Sequence, residues 1–152
     1  VYAGDNSYYF DRAFEKGKNG DHYGAIADYT KVIEMNPNNG DAFYNRGWNK
    51  TKIKNFYGAI ADYKKAIEIN PKKVKAYNNI AFIKRKKEIN DNYGAIFYAT
   101  KAIEIDPNYS FSYLNRGVAK ENIGDLKGAC DDWRKASSLG NKDTLKWVRD
   151  EC

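Results

Sequence analysis

The sequence predicts an all-α solenoid of four helix–turn–helix repeats followed by an end helix. Two recurring phrases and a set of prolines predict it. Glu34-Met35-Asn36-Pro37, Glu68-Ile69-Asn70-Pro71 and Glu104-Ile105-Asp106-Pro107 recur at intervals of 34 and then 36 residues. Gly24-Ala25-Ile26, Gly58-Ala59-Ile60, Gly94-Ala95-Ile96 and Gly128-Ala129-Cys130 keep the same beat. Each proline closes a helical stretch, because it lacks the N–H that the hydrogen-bond ladder needs. A fixed period of this size means that each unit buries its apolar side against its neighbours. Such a chain offers an extended surface for binding rather than a pocket for chemistry.

Residues 1–152 therefore read as one domain, with repeats at about 6–39, 40–73, 74–109 and 110–141 and a capping helix at about 142–151. Each repeat has a first helix, A, and a second, B. A1 is predicted over 6–17, ended by Asn19-Gly20-Asp21, and B1 runs on to Met35. A2 and B2 occupy 41–52 and 56–69, A3 and B3 occupy 74–88 and 92–105. A4 and B4 fall at 110–122 and 126–138, with Gly124-Asp125 as the turn. Ala13, Gly47 and Ala81 are evenly spaced by 34, whereas Ala81 to Gly117 is 36. The extra residues thus lie near 85–90, where they lengthen A3 by half a turn or enlarge the following loop. Loop enlargement costs little. Gly140-Asn141 replaces the final proline, and Leu145, Val148 and Cys152 then share one face of the end helix.

The composition suits a thin, surface-rich solenoid: 42% apolar and 30% charged residues, with a mean hydropathy of −0.81. No apolar run approaches the roughly 20 residues that span a bilayer. The net charge of +6 permits steering toward acidic partners, but Lys and Glu are spread over every repeat rather than gathered on a nucleic-acid face. Val1-Tyr2-Ala3 has the spacing found before signal-peptidase cleavage, without the apolar stretch that would give it weight. Whether Val1 is a processed terminus stays open.

The 34-residue beat, the paired helices and the closing proline resemble tetratricopeptide repeats. Tyr9, Phe43, Tyr77 and Tyr113 stand at the family's early aromatic of helix A. Ala13, Gly47, Ala81 and Gly117 stand at its small residue, and Ala25, Ala59, Ala95 and Ala129 at the small residue opening helix B. Tyr29, Tyr63 and Trp133 match the later aromatic, which Ala99 replaces in repeat three. Val32, Ala66, Ala102 and Ala136 match the next small position. The resemblance implies a right-handed superhelix whose A helices line a concave groove that binds a peptide or helix of a partner protein.

Arg12, Arg46 and Arg116 occupy a position where the family more often has leucine, and the same repeats carry Asp28, Asp62 and Asp132. Repeat three has neither, with Ile80 and Tyr98 in their places. Joint gain and joint loss predict an Arg–Asp pair joining A to B in repeats one, two and four; the competing reading is independent surface charges.

Residues four apart on helix A share a face. Phe10/Phe14, Tyr44/Trp48, Asn78/Phe82 and Leu114/Val118 line up in successive repeats, beside Asp11, Asn45, Asn79 and Asn115. The side that the family turns into its groove would then be an aromatic channel flanked by amides. The competing reading is that these residues pack A helices together, and Trp48 and Phe82 weigh most toward binding. Of the five places at which some family members clamp a terminal carboxylate, Asn45 and Lys75 match two, while Phe10, Phe14 and Asn79 do not. Chaperone-tail binding is not expected. The run Lys84-Arg85-Lys86-Lys87 complements the dipole at a helix end, with phosphate binding as the alternative.

Cys130 and Cys152 lie almost equally far from the Gly140-Asn141 turn, so a disulfide is favoured over a buried Cys130 and a free terminal thiol. It would point to an oxidising compartment; without it the sequence fits the cytoplasm equally. His22 stands alone in a turn, no Cys/His cluster calls for a metal, and neither a nucleophile triad nor a phosphate loop is present. No cofactor and no enzyme activity are expected. The function read here is a scaffold for a protein or peptide segment, monomeric or weakly self-associating. A self-assembling module is the first alternative, and an anionic polymer held by repeat three is the weaker second.

Overall fold

Four helix–turn–helix pairs and an end helix make up the described residues, 3–152, of the computed structural model. The processing reading rests on Val1 and Tyr2, which lie outside them. The helices are α1 (Ala3–Lys18), α2 (His22–Met35), α3 (Gly40–Lys52), α4 (Phe56–Ile69), α5 (Val74–Lys84), α6 (Asn92–Ile105), α7 (Ser110–Asn122), α8 (Leu126–Ser138) and α9 (Asp143–Glu151). No strand occurs among the described residues. The chain divides into two compact halves, Val1–Ala76 and Tyr77–Cys152, with the division inside α5.

Every B helix starts on the same hydrogen bond. The side chains of Asp21, Asn55, Asp91 and Asp125 each accept from the backbone N–H of the glycine three residues on, at 2.9–3.0 Å. The cap satisfies one of the orphan donors of the first turn. It also accounts for the glycine that recurs in the Gly-Ala phrase. A Cβ on Gly24 would overlap the Asp21 carboxylate, and one on Gly128 that of Asp125. Just before each cap the chain takes one left-handed residue: Gly20, Lys54, Asn90 or Gly124.

Helix α5 stops at Lys84, four residues short of the A3 expected from the sequence. The insertion is absorbed by the connection, 85–91, where Asn90 turns left-handed at φ 51° and the Asp91 N–H returns to the Lys84 carbonyl at 2.8 Å. Closing the helix there lets Lys84 reach across its own turn to Asp91.

The core of the first half is Ala13, Ala25, Tyr29, Val32 and Ala42, with Tyr9, Phe10 and Ile33 against it. In the second half Tyr113, Leu114 and Ala136 are covered by Ile103, Val118, Leu139 and Trp147. Within the pairs, the small residue on A is matched to the aromatic on B. A Cβ on Gly47 would come to 3.0 Å of the Tyr63 ring, and one on Gly117 would overlap Trp133 Nε1. Repeat three carries Ala81 and Ala99 at these two positions, both fully buried. The end helix lays Trp147 against Trp133, ring centroids 5.3 Å apart, and Cys152 is disulfide-bonded to Cys130.

Candidate functional site

The first half opens a pocket of about 300 Å³ between α1, α2 and α3, lined by Phe14, Gly17, Lys18, Tyr29, Tyr44, Asn45, Trp48 and Asn49. Phe14 is 54% exposed and Trp48 37%, so two large rings stand at its mouth. Its floor is Tyr29, whose phenol is pushed up to about 12 by burial while a hydrogen bond with Asn45 pulls the other way. The phenol is therefore neutral at any physiological pH. Trp48 is held on both sides: the His22 ring meets it edge-on at 5.7 Å, and the Lys52 ammonium lies 4.7 Å from its centroid. His22 Nδ1 in turn sits 2.9 Å from Asn49 Oδ1, and Asn49 donates to the Asn45 carbonyl. Lys73 lies over Tyr44 at 5.0 Å. Preset aromatic faces with amides at the edge can hold an apolar side chain without first ordering themselves.

Of the residues expected to line a groove, the structure brings Phe14, Tyr44, Asn45 and Trp48 together at this pocket. Phe10 turns inward instead, its ring edge-on to Tyr29 at 5.4 Å. Lys75 is exposed on the first turn of α5. In the second half Asn78, Leu114 and Asn115 are buried, which corrects the expectation that they face a ligand. Asn115 donates to Asn78 at 2.8 Å, and Leu114 belongs to the core beneath the end helix. An A-helix face at i, i+4 spacing is wide enough to serve both core and surface, and only packing decides between them. Asn79 and Phe82 are half-buried, and Phe82 is flanked by Arg85 at 5.0 Å and Lys86 at 4.6 Å. Gly17, His22 and Asn49 are not legible as site residues in the sequence; the small Gly17 at the end of α1, opposite Asn49, is the available signal.

The ionic pairs form a separate, structural set. Arg12, Arg46 and Arg116 each clasp the aspartate sixteen residues on through Nε and Nη2, at 2.7–2.9 Å. A lysine one turn later adds a second cation to the same carboxylate: Lys16 to Asp28, Lys50 to Asp62, Lys120 to Asp132. The free Nη1 of Arg46 and Arg116 donates to Thr30 and Thr100 on the preceding B helix. The sequence carries that link as well: the corresponding position ahead of Ile80 is Lys64 rather than a threonine. Among the described residues no cluster of three or more His, Cys, Asp or Glu could hold a metal, and no helix is long and apolar enough to cross a membrane.

Tetratricopeptide-repeat family models match residues 7–39, 40–73, 74–109 and 98–131. The chain belongs to the tetratricopeptide repeat family. Comparison with curated proteins gives no match. Among solved structures, a crystal structure of MamA is similar with 24% identity, a TM-score of 0.79 and 91% of this chain on 86% of that one. A double mutant titled MamA RS-1 ArsTM has 13% identity, a TM-score of 0.87, and 97% and 83% coverage. Another MamA structure has 23% identity, a TM-score of 0.61, and 93% and 95% coverage. At these identities the likeness concerns the fold. The family as a whole serves as scaffolds for protein–protein interaction.

Proposed function

We propose that this tetratricopeptide repeat protein binds a peptide segment of a partner protein and seats one aromatic or long aliphatic side chain between Phe14 and Trp48. The observation that carries the reading is the pocket of about 300 Å³ in the first half, with two exposed rings at its mouth and a buried neutral phenol as its floor. Burying one such side chain there would contribute roughly 2–3 kcal/mol. Neighbouring backbone groups of the segment would meet Asn45 and Lys18 at the pocket edge. Aromatic anchors of this type carry a large share of interface energy because they cover much area with few rotatable bonds.

The test is affinity capture from a cell extract on immobilised wild type and on a Phe14→Ala/Trp48→Ala variant, each first shown to be folded by circular dichroism. The reading expects partners that are retained by the wild type and lost by the variant. Equal recovery on the two proteins would end it. Light scattering on the free chain separates self-association, which predicts a mass that rises with concentration and falls back in the variant.

A further inference from the structure

Among the described residues, Arg12, Arg46, Arg116, Arg134 and Arg149 each pair with an aspartate, and Arg85 pairs with no carboxylate. Its Nε donates to the neutral Asn115 Oδ1 at 2.8 Å, and that amide is itself held by Asn78. Burial pulls the Arg85 guanidinium below its ordinary value, so its charge is carried at a cost that a matching anion would offset. The group lines an open cleft of about 500 Å³ with Lys86, Lys87, Glu88, Asn90, Val118 and Asn122.

The cleft is formed by the enlarged connection that only repeat three possesses. That connection is pinned rather than loose. Asn122 on α7 donates to Asn92 at 2.9 Å, and Asn92 donates to Asn90 at 3.0 Å. Lys84, the remaining cation of the run, is engaged by Asp91 and does not line the cleft. Arg85 and Lys87 stand on its walls with Glu88, while Lys86 lies over the Phe82 ring at 4.6 Å. The Val118 side chain supplies an apolar patch beside them.

We propose that this cleft binds an acidic peptide segment, with Arg85 taking one carboxylate and Lys87 a second. The occupant follows from charge complementarity: Arg85 and the exposed Lys87 are cations on the cleft wall, and a carboxylate is what the other arginines of this chain hold. A planar guanidinium fixed at Nε by Asn115 presents its outer edge in a preset orientation, which favours a planar carboxylate over a point charge. The proposal rests on the scaffold reading but not on the aromatic pocket, which belongs to the other half of the chain.

The experiment is fluorescence anisotropy of three labelled peptides of equal length with the whole chain at two salt concentrations: oligoglutamate, oligoglutamine and an oligoglutamine carrying phosphoserine. Oligoglutamate binding should be clearly tighter than oligoglutamine binding. Arg85→Gln should weaken it roughly tenfold and the exposed Lys87→Gln several-fold, both more than the control Lys31→Gln/Lys64→Gln, which lowers net charge elsewhere. Trp48→Ala should leave it unchanged, so failure here and failure of the aromatic pocket can be told apart. Equal affinity for oligoglutamate and oligoglutamine, or equal losses in the control and in Lys87→Gln, would overturn the site. Tighter binding of the phosphoserine peptide than of oligoglutamate would overturn the carboxylate assignment.

Discussion

The Arg46 guanidinium grips Asp62 with two hydrogen bonds, Nε to Oδ2 at 2.9 Å and Nη2 to Oδ1 at 2.7 Å, while Nη1 reaches back to Thr30. One side chain thus ties α3 to α4 and, through Thr30, to α2. Only 15% of the Arg46 side chain is exposed, against 37% for Arg12. Arg46→Met should therefore cost roughly 2–3 kcal/mol, because Asp62 would be left buried with Lys50 alone. The more exposed Arg12→Met should cost less. Urea unfolding of the two variants, compared with wild type, measures the order.

Acid should unfold the first half partly through Asp28. The Arg12 hydrogen bonds hold its carboxyl at about 2 against an ordinary 3.8, burial opposes them, and Lys16 assists. A group whose folded pKa is depressed contributes its stability above the unfolded value and loses it as the pH falls. The loss should therefore run from about pH 5 down to about pH 2. Asp28→Asn should be less stable at neutral pH and show a flatter fall of Tm across that window. A fall as steep as in wild type would mean other carboxylates carry the effect.

Gly117 is required by Trp133. A Cβ there would overlap the indole at Nε1, with the Ala129 carbonyl at 3.2 Å behind it. Gly117→Ala should destabilise by roughly 2 kcal/mol through overpacking. Repeat one already solves the same contact with Ala13 and the smaller Tyr29. Gly117→Ala/Trp133→Tyr should therefore regain part of the loss, and a double-mutant cycle in thermal unfolding reads the coupling.

The Cys130–Cys152 disulfide anchors the end of α9 to α8 across a sequence separation of 22. A bridge closing such a loop contributes about 3 kcal/mol on the chain-entropy account. Reduction, or Cys152→Ser, should lower Tm and raise hydrogen exchange in α9 before the rest of the second half responds. An unchanged Tm on reduction would remove the bridge from the stability account.

Repeats make most of this molecule legible. A single helix boundary read from one proline is weak, but four concordant copies of Gly-Ala and the early aromatic set the pairing of helices and the turns between them. The Arg–Asp contact is readable for a related reason, since Ile80 and Tyr98 depart from the pattern together. The end of α5 is not, because Lys84 and Asp91 compete for the chain's course across the insertion, and no local propensity reports a side chain reaching over a loop. Of the residues lining the candidate pocket, the sequence reading names Phe14, Tyr44, Asn45 and Trp48. Whether Leu114 or Phe10 faces core or solvent depends on how the next helix lies, and the end helix and Tyr29 settle that only in three dimensions.

Calorimetric titration of a peptide selected from a random library on the wild-type chain addresses the scaffold claim most directly. The selected peptides should share an aromatic or long aliphatic residue. Trp48→Ala should weaken their binding by about tenfold in a variant that stays folded by circular dichroism, because Trp48 stands at the pocket mouth rather than in the core. Peptides without such a residue, bound equally by wild type and by Trp48→Ala, would contradict it.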